Sequence, residues 1–146
     1  LHTNNIGEAG ASALGAALGR GALPRLQVLC LISNGLGSAG LIALAPGLRA
    51  RPQLKKLNLV LNRIGDDGVA ALVAPGEGVL PSLEELHLDE GNKVGDAGAE
   101  AIVVSMLAVQ LYDIPVSLSV DDLRVPTFIA HHFGFCPYTI HGGGRP

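Results

Sequence analysis

The feature that most constrains this chain is a spacing of leucines, closed by an asparagine and a glycine, that recurs every 28 to 30 residues. Its clearest copy is LKKLNLVLNRIGDDG, Leu54 to Gly68, with Leu54, Leu57 and Leu59 at relative positions 1, 4 and 6, Asn62 at 9, Ile64 at 11 and Gly65 at 12. Upstream, Leu26, Leu29, Leu31, Asn34, Leu36 and Gly37 keep the same register. Downstream, Leu83, Leu86 and Leu88 repeat it, with Asn92, Val94 and Gly95 displaced by one inserted residue. Leu1, Asn4, Ile6 and Gly7 match positions 6, 9, 11 and 12, so the chain opens inside a copy. Repetition at this period implies stacked units that bury a shared core only by leaning on one another. The start in mid-copy, without Met, leads us to expect a fragment of a longer protein.

Each copy has two halves of different periodicity. The last two leucines of LxxLxL alternate by two, as in a short strand with one buried face. The second half spaces its apolar residues by four: Leu14 and Leu18 after Gly10, Leu44 and Leu48 after Gly40, Leu72 after Gly68, Ile102 and Met106 after Gly98. That spacing predicts a helix with one inward stripe. Strand and helix alternating through short connections give a parallel sheet, because each helix returns the chain to the same end. Aromatics make up only 3% of the chain, so the core must be built from Leu, Val, Ile and Ala.

The remaining fixed positions lie at the joints. Asn34 and Asn62 follow the strand where the chain turns, and an amide there both donates to and accepts from open backbone groups, so stacked copies should form an asparagine ladder. Glu8, Ser38, Asp66 and Asp96 occupy one column after the turn glycine and suit helix N-termini, as caps or as charges facing the dipole. The Asp66-Asp67 pair is read as capping chemistry and not as catalysis. Pro24, Pro52 and Pro81 each stand two residues before an opening leucine and should direct the chain into the next strand. Pro46 and Pro75 fall in helical halves, which should be short or kinked there.

With these residues placed, residues 1 to about 108 resemble the ribonuclease-inhibitor-like class of leucine-rich repeats, whose unit is LxxLxLxxNx(I/L)GxxGxxxLxxxL. The glycine pairs Gly7/Gly10, Gly37/Gly40, Gly65/Gly68 and Gly95/Gly98 hold the match in register. The resemblance implies an α/β leucine-rich-repeat solenoid, a horseshoe segment with its parallel sheet on the concave face and helices on the convex face. Relatives of this class include ribonuclease inhibitor, the sensor domains of NOD-like receptors, Ran GTPase-activating protein and tropomodulin. Most are protein-binding modules, which implies a protein-binding, non-enzymatic role. The alternatives within the resemblance are a regulatory GTPase-activating segment of the Ran type, or the sensor segment of a receptor. The former would need an exposed Arg or Asn arrangement beyond the repeat unit, and none is identifiable.

On this reading the organisation is a partial repeat at 1–25, full repeats at 26–53, 54–82 and 83–110, a degenerate edge strand at 111–118, and a non-repeat segment at 119–146. Leu111, Ile114 and Val116 keep the 1, 4, 6 spacing, but Pro115 cannot donate to a ladder and belongs at a sheet edge. The final segment carries Phe128, Phe133, Phe135 and Tyr138, and is either a cap over the open end of the core or a disordered tail.

If the leucines face the core, the residues between them form the concave face. Its columns are Val28, Lys56 and Glu85; Cys30, Asn58 and His87; and Ile32, Val60 and Asp89. These nine positions are the candidate partner-binding residues, passing from apolar in the first full repeat to acidic in the third, where Glu84, Glu85, Asp89 and Glu90 cluster. The competing reading is that Lys56 and Glu85 simply pair across strands. The inserted residue near Asp89-Glu90-Gly91-Asn92 suggests a local bulge and does not fit a calcium loop.

Other chemistry finds little support. His131, His132, Cys136 and His141 could suggest zinc, yet only one thiolate is present and the spacing lacks a paired CxxC, so no metal or cofactor is expected. Cys136 has no identifiable acid or oxyanion donor to make it a nucleophile. Gly142-Gly143-Gly144-Arg145 lacks the Lys-Ser/Thr of a phosphate loop. A net charge of -3 argues against nucleic acid as partner, and Ala101 to Leu111 is too short to span a bilayer. Two cysteines and no glycosylation sequon fit a cytoplasmic setting.

Overall fold

The computed structural model describes residues 3–74, 80, 82–110 and 117–119. Helix and strand alternate along them: α1 (Gly7–Gly19), β1 (Val28–Cys30), α2 (Gly37–Arg49), β2 (Lys56–Asn58), α3 (Asp66–Leu72), β3 (Glu85–His87), α4 (Asp96–Gln110) and β4 (Ser117–Ser119). The four strands form one parallel sheet in sequence order, and the helices pack in the same order, α1 on α2, α2 on α3 and α3 on α4. Each unit thus touches only its neighbours, the arrangement that a fixed repeat demands.

Burial follows the repeat. Leu29, Leu57 and Leu86 are buried within the strands, as are Leu31, Leu59 and Leu88 just after them. They meet Leu18, Leu44, Leu48, Leu72 and Ile102 from the helices, so the core contains leucine in nearly every large position. In the described residues it is assembled without an aromatic ring. The opening leucine of each unit is placed by a tight turn: Leu26 N–H donates to Leu23 O at 3.0 Å, Leu54 to Arg51 O at 3.1 Å and Leu83 to Leu80 O at 3.2 Å. Pro24 and Pro52 occupy the second position of their turns, where a fixed φ near −65° is already the required angle.

Small residues let the helices approach. Gly15 of α1 faces Gly47 of α2, and a Cβ on Gly15 would lie 2.6 Å from Ala43 O and 2.9 Å from Leu44 Cα. Farther along, a Cβ on Gly68 would lie 3.0 Å from Ser38 Cα, and one on Gly98 would lie 2.6 Å from Asp66 Oδ1. The second glycine of the later pairs, at Gly40, Gly68 and Gly98, is therefore the seat for the start of the preceding helix.

Three expectations need correction. Pro46 does not shorten its helix, since α2 runs 13 residues through it. Pro46 and Ile42 lie on the exposed side of α2, where solvent reaches the carbonyl left without a donor. By contrast α3 is short, at 7 residues, and Pro75 beyond it lies outside the described residues. The second correction concerns the capping column: α1, α2 and α3 have no side-chain N-cap bond. Ser38 Oγ instead accepts from Gly65 N–H of the next copy at 2.9 Å, and Asp66 Oδ1 from Gly95 N–H at 2.6 Å. Side-by-side parallel helices bring the neighbour's turn within reach, and that donor takes the oxygen. The dipole part of the expectation holds, with Glu8, Asp66, Asp67 and Asp96 all in first turns.

The third correction is one of register. The spacing predicts Ile114 opposite Leu86, but the strand that pairs there is Ser117–Ser119, with Leu118 opposite Leu86. The degenerate unit therefore meets the sheet four residues later than the repeat period would place it. Residues 111–116, and with them Leu111, Ile114, Pro115 and Val116, lie outside the described residues.

Candidate interaction face

A sheet can present a defined surface only if the chain leaving each strand is held in register, and here asparagine does this. Asn62 Oδ1 accepts from the N–H groups of Asn34 at 3.1 Å and Leu36 at 3.3 Å, both in the preceding copy. Its Nδ2 donates to Leu31 O, Leu59 O and Val60 O at 2.8 to 3.0 Å. Asn34 does the same for Asn4 and Ile6, at 3.0 and 3.5 Å, and Asn92 for Asn62 and Ile64, at 3.2 and 3.0 Å. Asn34 and Asn62 are buried, so the bonds from Asn62 to Asn34 N–H, Leu36 N–H, Leu31 O and Leu59 O are made away from water.

The backbone is shaped to receive those oxygens. Thr3, Asn5, Ser33, Leu61 and Arg63 all have positive φ, between 51° and 59°, and Gly35 has φ 65°. Left-handed residues on either side of the asparagine turn alternate N–H groups toward one point, a concavity of the kind that binds an oxygen. A left-handed conformation at a non-glycine residue costs roughly 1–2 kcal/mol, which the paired bonds offset. The insertion in the third repeat is absorbed at Glu90 (φ 36°) and Gly91 (φ 66°), whose carbonyls accept from Leu61 and Arg63 N–H at 2.8 and 3.0 Å. The bulge thus leaves Asn92 in the ladder.

Between the buried leucines lie the candidate residues. Val28 is directly opposite Lys56, and Lys56 opposite Glu85; Cys30 is opposite Asn58, and Asn58 opposite His87. Val28 is 58% exposed, while Cys30, Lys56, Asn58, Glu85 and His87 are half-buried. Ile32, Val60 and Asp89 follow just beyond the strands and are half-buried too. Val28, Cys30, Lys56, Asn58, Glu85 and His87 flank the buried Leu29, Leu57 and Leu86 and so share the open side of the sheet.

The cross-strand pairing also exists. Lys56 Nζ forms an ion pair with Glu85 Oε2, His87 Nε2 lies 3.2 Å from the same oxygen, and Lys55 pairs with Glu84 at 2.7 Å. The Lys56 ammonium, and after it His87, hold the Glu85 carboxyl below its ordinary value of 4.5. Two of the four clustered acids are therefore already matched by lysines of the neighbouring strand. Asn58 is partly engaged as well, since its Oδ1 accepts from Val60 N–H at 3.2 Å.

Two features were not foreseen. Leu61, 44% exposed, packs against Gly91, where an added Cβ would lie 2.7 Å from Leu61 Cδ2. Its exposure follows from its left-handed backbone, which a leucine does not signal. Arg51, only 8% exposed, reaches back to the end of α1 and donates to Leu18 O at 2.7 Å and Ala22 O at 3.2 Å. Arg49 donates forward to Ala71 O of α3. A cation at a helix C-terminus is favoured by the dipole, and these two residues join three helix ends.

Among the described residues no group of three or more His, Cys, Asp or Glu is placed to hold a metal ion. His131, His132, Cys136 and His141 lie outside them, as does the Gly142–Arg145 stretch. No helix of the described residues is long and apolar enough to cross a membrane.

Repeated strand, asparagine turn and helix, stacked through a parallel sheet, define an α/β leucine-rich-repeat solenoid segment. A family model described as Leucine Rich repeat matches residues 52–73 and 79–103. Those stretches hold the second and third copies of the LxxLxL strand. No curated protein matches the chain. Leucine-rich repeats are generally protein-interaction modules and typically not enzymes.

Proposed function

We propose that the segment recognises a partner protein through the open face of its sheet, at Val28, Cys30, Ile32, Lys56, Asn58, Val60, Glu85, His87 and Asp89. The observation that carries this reading is the separation of faces: Leu29, Leu57 and Leu86 of β1, β2 and β3 are buried, while the residues between them stand on the other side, with Val28 58% exposed. Val28, Ile32 and Val60 offer apolar contact on one side of a rigid platform. Lys56, Glu85 and Asp89 offer charge and His87 a polar ring on the other, a division that can fix a partner's orientation. The ribonuclease-inhibitor-like subtype belongs to the same proposal. It is supported by the 28 to 30-residue period and by the seating of Gly68 and Gly98 against the preceding copy.

The test compares faces. Proteins captured by the wild-type chain should be lost with Val28→Asp and Val60→Asp and kept with Ala13→Asp on the exposed side of α1. Loss with the helix variant, and retention with both sheet variants, would contradict the proposal.

A further inference from the structure

Asn34 is followed by Gly35, the one Asn-Gly pair in the chain; the other asparagines, at 4, 5, 58, 62 and 92, precede residues with side chains. Asn-Gly is the pair most prone to succinimide formation, because no Cβ hinders the following nitrogen. In that reaction the Gly35 nitrogen attacks Asn34 Cγ and a new C–N bond forms. The Cγ–Nδ2 bond breaks, and Nδ2 leaves as ammonia with the proton from the Gly35 amide. Water then opens the ring at either carbonyl to give aspartate or isoaspartate.

The fold opposes each step. Asn34 is 1% exposed. Its Oδ1 is held by Asn4 N–H at 3.0 Å and Ile6 N–H at 3.5 Å, and its Nδ2 donates to Ile32 O at 3.0 Å. The residue's own N–H is fixed on Asn62 Oδ1 at 3.1 Å. To present Cγ to Gly35 the side chain must leave the ladder, and to lose ammonia and take up water it must meet solvent.

We infer that Asn34 is a fold-protected deamidation site, converted only in molecules whose ladder has opened. Conversion is one-way. Aspartate has no Nδ2 to donate to Ile32 O, and would set a buried anion against that carbonyl. Isoaspartate lengthens the main chain between Ile32 and the Gly35–Gly37 turn. Either product bars return to the ladder and alters the platform at Ile32, so opening is recorded in the covalent structure.

The full chain would be incubated in mildly alkaline buffer with and without denaturing urea. Conversion is read by peptide mass spectrometry on residues 26–49, with the isoaspartate product assayed separately. The Asp67-Gly68 pair can isomerise but cannot gain the amide-to-acid mass difference. Conversion at Asn34 should be at least about tenfold faster in urea than in buffer, the excess reporting how rarely the ladder opens. A smaller ratio would show that the ladder gives no such protection. Failure of Asn34 to convert in urea would remove the site altogether.

Discussion

Asn62 is a single side chain that closes five hydrogen bonds, two as acceptor from the preceding copy and three as donor. Its removal strands groups that water does not reach, because Asn62 and Asn34 are buried. An unsatisfied buried backbone group costs about 1–3 kcal/mol, so Asn62→Ala, which orphans Asn34 N–H and Leu36 N–H, should lose at least about 2 kcal/mol. The urea midpoint measures this, and a loss within about 0.5 kcal/mol would show the ladder to be ornamental. Glu85 is the residue whose ionisation links to pH. Its carboxyl is held low in the folded state by Lys56 and then His87. The stabilisation is therefore present above the ordinary value of 4.5 and disappears as the pH falls through the lower folded value. Glu85→Gln should be slightly less stable than wild type at neutral pH, and the two should converge in acid. A gap that widens in acid would reverse the sign of this account.

At the scale of the element, the alternation within a strand is the informative property. Leu59 is buried between units, with no exposed surface, and its N–H extends the pairing to His87 O at 2.9 Å. Leu59→Ala should cost about 2–5 kcal/mol through the cavity it leaves, whereas Lys56→Ala, an exposed paired charge, should cost well under about 1 kcal/mol. Equal losses in thermal or urea unfolding would mean the strand faces are misassigned. The leucine positions were legible in the sequence because burial repeats with them, and Asn34 and Asn62 because polar residues at a buried joint need partners. What the pattern could not convey was direction: an asparagine looks the same whether it serves its own turn or that of the preceding copy. The same blindness produced the capping error at Ser38 and Asp66, whose oxygens cross to Gly65 and Gly95. Leu118 was missed as the partner of Leu86 because 28-residue counting favours Ile114.

Across the described residues, four helices alternate with four parallel strands, so the helix dipoles lie side by side without the cancellation of an antiparallel bundle. The chain answers with acids in the first turns, Glu8, Asp66, Asp67 and Asp96, and with Arg49 and Arg51 on carbonyls at helix ends. Between these charged margins the leucine core fixes the strands, and the ladder fixes what leaves them. The central claim is that the open face is a rigid platform because each asparagine holds the copy before it. The most direct measurement is residue-resolved amide hydrogen exchange on Asn92→Ala beside the wild type. The amides of Asn62 and Ile64, which Asn92 Oδ1 receives at 3.2 and 3.0 Å, should lose protection, while those of Asn34 and Leu36 keep theirs. Unchanged exchange at Asn62 and Ile64, or equal loss in both copies, would contradict it.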